Sequence, residues 1–137
     1  MCGDRDVSAV FRTAAAPAPG AGMSGALEVT NTSDRPCTMD GYASFWLVDS
    51  AGHATRRGTS TGEVFSGFDL APGRRASAAF TWKQCAEGRP ECVVGRTAGM
   101  TLELSRSVPA PTLDVRLEAS PIAMGADAEL NAWRPVE

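Results

Sequence analysis

Histidine is almost missing from this chain: His53 is the only one. Hydrolysis through a serine or cysteine nucleophile usually needs an imidazole base oriented by a carboxylate, so His53 alone would have to serve any such site. It falls in the turn-like segment Asp49-Ser50-Ala51-Gly52-His53, and no Gly-x-Ser-x-Gly elbow accompanies it. Cys-x-x-Cys pairs are absent too, which leaves zinc without its usual ligand spacing. No Gly-rich phosphate loop or dinucleotide fingerprint occurs. Glu63 with Asp69, or Asp114 with Glu118, would supply the carboxylate pair of a glycosidase. Acidic residues alternating along strands more often form a solvated face. These absences lead us to expect no enzyme, no metal and no cofactor.

Net charge is small as well. The formal net charge is −3, with Lys83 the single lysine among 13 basic residues. Such a field gathers neither nucleic acid nor an anionic membrane surface. No run approaches the roughly 18 apolar residues of a membrane-spanning helix. No signal peptide is visible, and for a protein with this cysteine content we expect a leader to have been removed.

The cysteines are what the chain does have. Cys2, Cys37, Cys85 and Cys92 make an even count in a Gly- and Pro-rich sequence of 137 residues, which suggests a disulfide framework and an oxidising compartment. Three pairings exist. Cys85 with Cys92 is the easiest, because Ala86-Glu87-Gly88-Arg89-Pro90-Glu91 is a short loop able to bring the two Cα atoms within bonding reach. Loop entropy would then contribute about 2.5 kcal/mol for that bridge and about 3.8 kcal/mol for one between Cys2 and Cys37. Cys2-Gly3 also reads as a bacterial lipoprotein start with an acylated thiol, but that would leave an odd cysteine.

Apolar residues recur with a period of two. Val7, Ala9, Phe11 and Thr13 alternate, as do Leu27 and Val29 before the turn Asn31-Thr32-Ser33-Asp34. Phe45 and Leu47, with Trp46 and Val48, form a denser run. Ala76, Ala78, Phe80 and Trp82 follow Pro72-Gly73, and Phe80 and Trp82 share one face. Thr101–Leu104, Leu113–Leu117 and Leu130–Trp133 complete the series. Short alternating runs punctuated by Gly, Pro, Asn and Asp predict an all-β, antiparallel sandwich or barrel. Ala14–Gly22, Arg56–Gly67 and Pro109-Ala110-Pro111 read as connections outside the strands. No repeat or linker divides the chain, so residues 1–137 are expected to form one domain, with 1–5 an N-terminal segment tethered through Cys2.

The order of these pieces resembles a known family. Asn31-Thr32, Pro36-Cys37-Thr38-Met39, Gly41-Tyr42, Asp49 and Gly52 come first. Leu70-Ala71-Pro72-Gly73, then Ala76, Ala78, Trp82 and a close cysteine pair follow. This order is similar to the family catalogued as domain of unknown function 4232, found in exported proteins and lipoproteins of actinobacteria. The resemblance runs from Cys2 to about Trp133. It implies an immunoglobulin-like antiparallel β-sandwich with two disulfides, Cys2–Cys37 and Cys85–Cys92, and it supplies no catalytic residues.

The functional expectation is therefore a non-catalytic extracellular or cell-envelope binding module, its partner a protein or a cell-wall component. A cross-linked loop loses little entropy on binding, so Arg89 at its tip, with Glu87 and Pro90 beside it, is one candidate surface. Arg89 also suits a secreted protease inhibitor that inserts an arginine into a trypsin-like pocket. Sugar stacking, as in a carbohydrate-binding module, is a further alternative. Tyr42, Trp46, Trp82, Trp133, Phe45, Phe65 and Phe68 would include its platform. Of these, Phe65 and Phe68, flanked by Gly62, Ser66 and Gly67, are the ones expected to be exposed.

Overall fold

Strands form where the period-two runs find a partner for their apolar face. The computed structural model describes residues 2–3, 5–13, 22–41, 44–61, 67–83, 97–104, 112–117 and 128–136. Their strands in chain order are β1 (Val7–Thr13), β2 (Gly22–Asn31), β3 (Cys37–Met39), β4 (Ser44–Asp49), β5 (Ala54–Thr61) and β6 (Phe68–Leu70). There follow β7 (Arg75–Lys83), β8 (Thr97–Glu103), β9 (Thr112–Arg116), β10 (Glu129–Asn131) and β11 (Arg134–Pro135). No helix occurs among the described residues, so none there is long and apolar enough to cross a membrane.

The strands build an immunoglobulin-like sandwich. One layer is β1-β2-β7 and the other is β5-β4-β8-β9, each antiparallel throughout. Both lateral edges are then joined. On one side β10 lies between β7 and β5, antiparallel to the first and parallel to the second. A strand placed between two neighbours that run in opposite directions must be parallel to one of them. On the other side a parallel bridge from Phe11 to Leu117 brings β1 against β9. Closure of this kind leaves few free sheet edges to recruit another chain. The pair β3–β6 forms a separate two-stranded ribbon.

The core fills from both layers. Phe80 is fully buried and meets Phe11 of β1 at 5.7 Å and Phe45 of β4 at 5.4 Å, both edge-to-face. Trp82 packs beside it, 5.7 Å away. Their strand β7 is central, with β2 on one flank and β10 and β11 on the other.

One expectation is corrected here. Residues 56–61, read as a connection, belong to strand β5. Their apolar period is invisible because the core-facing position opposite Phe45 is Gly58, where a Cβ would lie only 2.5 Å from the Phe45 ring. The phenylalanine covers the glycine, so the strand needs no apolar side chain of its own there.

Asn31, Ser44 and Thr97 are the buried polar residues among those described, and Asn31 has the largest set of partners. Its side-chain Nδ2 donates to the carbonyls of Arg35 at 2.9 Å and Leu70 at 2.8 Å, and its Oδ1 accepts from the backbone N–H and hydroxyl of Ser33. Its backbone binds the 73–74 turn: its N–H donates to the Arg74 carbonyl and its carbonyl accepts from Gly73. The bridge Cys2–Cys37 is formed, with Cα atoms 4.9 Å apart, and the Cys2 N–H donates to the Thr38 carbonyl at 2.8 Å. A sulfur held in that bond has no thiol to acylate. Cys85 and Cys92 lie outside the described residues.

Two stability measurements test this frame. Truncating Phe80 to alanine should cost about 3–5 kcal/mol in urea titration, since it empties the contact between layers. A loss near zero would place β7 outside the core. Asn31→Ala should cost about 3 kcal/mol, because the buried Leu70 carbonyl is left without its donor. An unchanged urea midpoint would show that water reaches those carbonyls.

Candidate binding surface

Alternation along the second layer sorts its residues into an inner and an outer set. Phe45 and Leu47 of β4, Met100 and Leu102 of β8 and Val115 of β9 are buried in the core. Their neighbours in sequence must therefore face outward. Register arranges the outer set in rows. Arg57, Trp46, Thr101 and Asp114 stand side by side across β5, β4, β8 and β9, and the next row holds Val48, Gly99 and Arg116.

Trp46 is the large apolar side chain left exposed among the described residues, at 38%. Arg57 fixes its setting, with the guanidinium carbon 5.7 Å from the ring centre. Nη2 of Arg57 donates to both carboxylate oxygens of Glu103, at 3.0 and 3.1 Å. Because Glu103 pairs with Ser44 on the far side of β4, this ion pair crosses that strand beside the indole. In the other direction Thr101 donates from Oγ1 to Asp114 Oδ1 at 2.8 Å.

Beyond Thr101 the outer face dips into a hollow of about 160 Å³ over Gly99, walled by Val48, Ser50, Asp114 and Arg116. The dip has a backbone cause. A Cβ on residue 99 would sit 2.5 Å from the Val115 carbonyl oxygen, so β9 packs here only against glycine. A second depression, of about 270 Å³, lies by the disulfide between Asp6, Arg35 and Thr38.

The remaining sequence candidates are distributed as follows. His53 lines neither hollow; its side chain is 81% exposed at the end of a turn in which Asp49 Oδ1 accepts from the N–H groups of Ala51 and His53. Among the described residues no group of His, Cys, Asp and Glu side chains gathers as metal ligands would. Asp69 accepts from Thr38 Oγ1 at 3.0 Å. Phe68 is half-buried against the core, and Phe45, Trp82 and Trp133 are inside it. Cys85, Glu87, Arg89, Pro90, Cys92, Glu63, Phe65, Tyr42 and Glu118 lie outside the described residues. Arg57, Thr101 and Arg116 went unnoticed in the sequence. The available signal was phase, since Trp46 falls out of step with Phe45 and Leu47.

An immunoglobulin-like sandwich carrying an aromatic platform on one outer sheet face is thus the class of protein that the geometry defines. Within it the chain belongs to the family described as Domain of unknown function (DUF4232), whose profile matches residues 2–133. No curated protein and no solved structure matches the chain.

Fluorescence tests the platform directly. Trp82 and Trp133 are buried, so iodide should quench Trp46 alone among the three tryptophans. Trp46→Phe should abolish the quenchable component, and Arg57→Ala should enlarge it while costing about 1 kcal/mol or less, as exposed ion pairs do. Quenching that survives Trp46→Phe would contradict the assignment.

Proposed function

We propose that this protein is a non-catalytic binding module of the cell exterior or envelope. Its partner, a protein or an envelope component, docks on the outer face of the β5-β4-β8-β9 layer. The observation that carries the reading is Trp46, exposed on a sheet face and held by Arg57 and Glu103. Tryptophan is enriched among the few residues that dominate binding energy, and a side chain already fixed loses less freedom when a partner arrives. The Cys2–Cys37 bridge supports the location, because such bonds persist outside reducing compartments. The exposed turn position of His53 offers no enclosed place for a base to act.

The test compares wild type with Trp46→Ala for retention of the surface and secreted fractions of the producing cells, with the melting temperature as fold control. Wild type should retain a component, and Trp46→Ala should weaken retention about tenfold or more at an unchanged melting temperature. No retention by wild type, or equal retention by the variant, would overturn the reading.

A further inference from the structure

The surroundings of Trp46 narrow the chemistry of what it receives. A protein partner needs an apolar patch to bury at the centre of its footprint, with charge kept to the rim. Here the single exposed indole has Arg57 on one side and Thr101 on the other, with the Arg57–Glu103 ion pair beside it, and its apolar neighbour on the same strand, Val48, is half-buried, so the apolar centre is small. A polyanion is disfavoured too. Arg57 is committed to Glu103, and Arg116 stands beside the carboxylate of Asp114.

A sugar meets each of these features. A pyranose ring has a face of C–H bonds that lies flat on an aromatic ring, and a rim of hydroxyls that each donate and accept. Arg57 lies over the Trp46 ring, and the part of the indole left exposed beside it supplies the flat surface. At the hollow, Thr101 occupies only Oδ1 of Asp114, which leaves Oδ2 to accept. Arg116, two residues along the same face of β9, has no ion-pair or hydrogen-bond partner among the described residues and is free to donate. Acceptor and donor side by side match two adjacent hydroxyls, and bonds to charged groups are the stronger kind. Strand spacing and rise place the hollow about 8 Å from the Trp46 position, a step of one strand and two residues. That span fits consecutive rings of an oligosaccharide.

We infer that the ligand of this face is a saccharide: one ring stacks on Trp46 while hydroxyls of its neighbour enter the hollow over Gly99, one donating to Asp114 and one accepting from Arg116. The inference rests on the binding-module reading and specifies its ligand class.

The experiment uses the whole chain and the lipid-extracted envelope fraction of the producing cells, in three portions: untreated, exhaustively digested with protease, and oxidised with periodate, which cleaves vicinal diols. Binding should survive protease and be lost after periodate. Trp46→Ala, Asp114→Ala and Arg116→Ala should each weaken it about tenfold or more at an unchanged melting temperature. Oligosaccharides released from the fraction should titrate wild type in calorimetry and leave Trp46→Ala silent. Loss on protease treatment with survival of periodate would overturn the saccharide while leaving a binding module in place. Saccharide binding unaffected by all three substitutions would overturn the site. No binding to the untreated fraction would overturn the module reading and the saccharide with it.

Discussion

A carboxamide buried away from water must find protein partners for its donors and acceptor, and Asn31 finds them in two stretches of chain, at Ser33 and Arg35 in the adjoining turn and at Leu70 across the fold. That requirement organises one end of the molecule. The Leu70 carbonyl brings β6 to the end of β2, and β6 in turn pairs with β3, setting Cys37 opposite Leu70. Cys37 then holds Cys2 and with it the start of the chain. The backbone of Asn31 also grips the turn that launches β7. The strand carrying Phe80 and Trp82 therefore enters the core from a point fixed by the backbone of the same residue.

The closed circuit of strands matters for the exposed face. An open sheet end can twist and fray, but here β5 leans on β10 and β9 leans on β1. The row Arg57–Trp46–Thr101–Asp114 thus spans a layer held along both sides, so its spacing depends on the whole sandwich rather than on one loop. Rigid elements keep a binding surface in shape better than loops do.

Much of the fold was legible because burial leaves a period. Phe80 and Trp82, or Leu27 and Val29, announce an inner face by alternating with small or polar neighbours, and each proved buried. The Cys2–Cys37 pairing followed from family resemblance, since spacing alone left three choices open. What stayed hidden has a physical reason in each case. Strand β5 has its core position occupied by the ring of Phe45 reaching over Gly58, so its own residues look like a linker. Strand β10 contributes Leu130 to the core but is too short to reveal which neighbours it joins. The outer face was harder still. Trp46 sits inside an apolar run, and hydrophobicity by itself does not distinguish a core tryptophan from an exposed one; its phase against Phe45 and Leu47 hints at it, and the register across β5 and β8 decides it.

Gly99 separates what this surface can change from what it cannot. The floor of the hollow exists because the Val115 carbonyl leaves no room for a side chain, so the depression is a by-product of how β8 and β9 meet. No recognition role is needed to maintain it. Its walls, at Ser50, Asp114 and Arg116, carry no such packing constraint. Divergence among homologous chains, or deliberate redesign, can therefore rewrite the rim residue by residue while inheriting the same recess, a fixed mould with interchangeable lining.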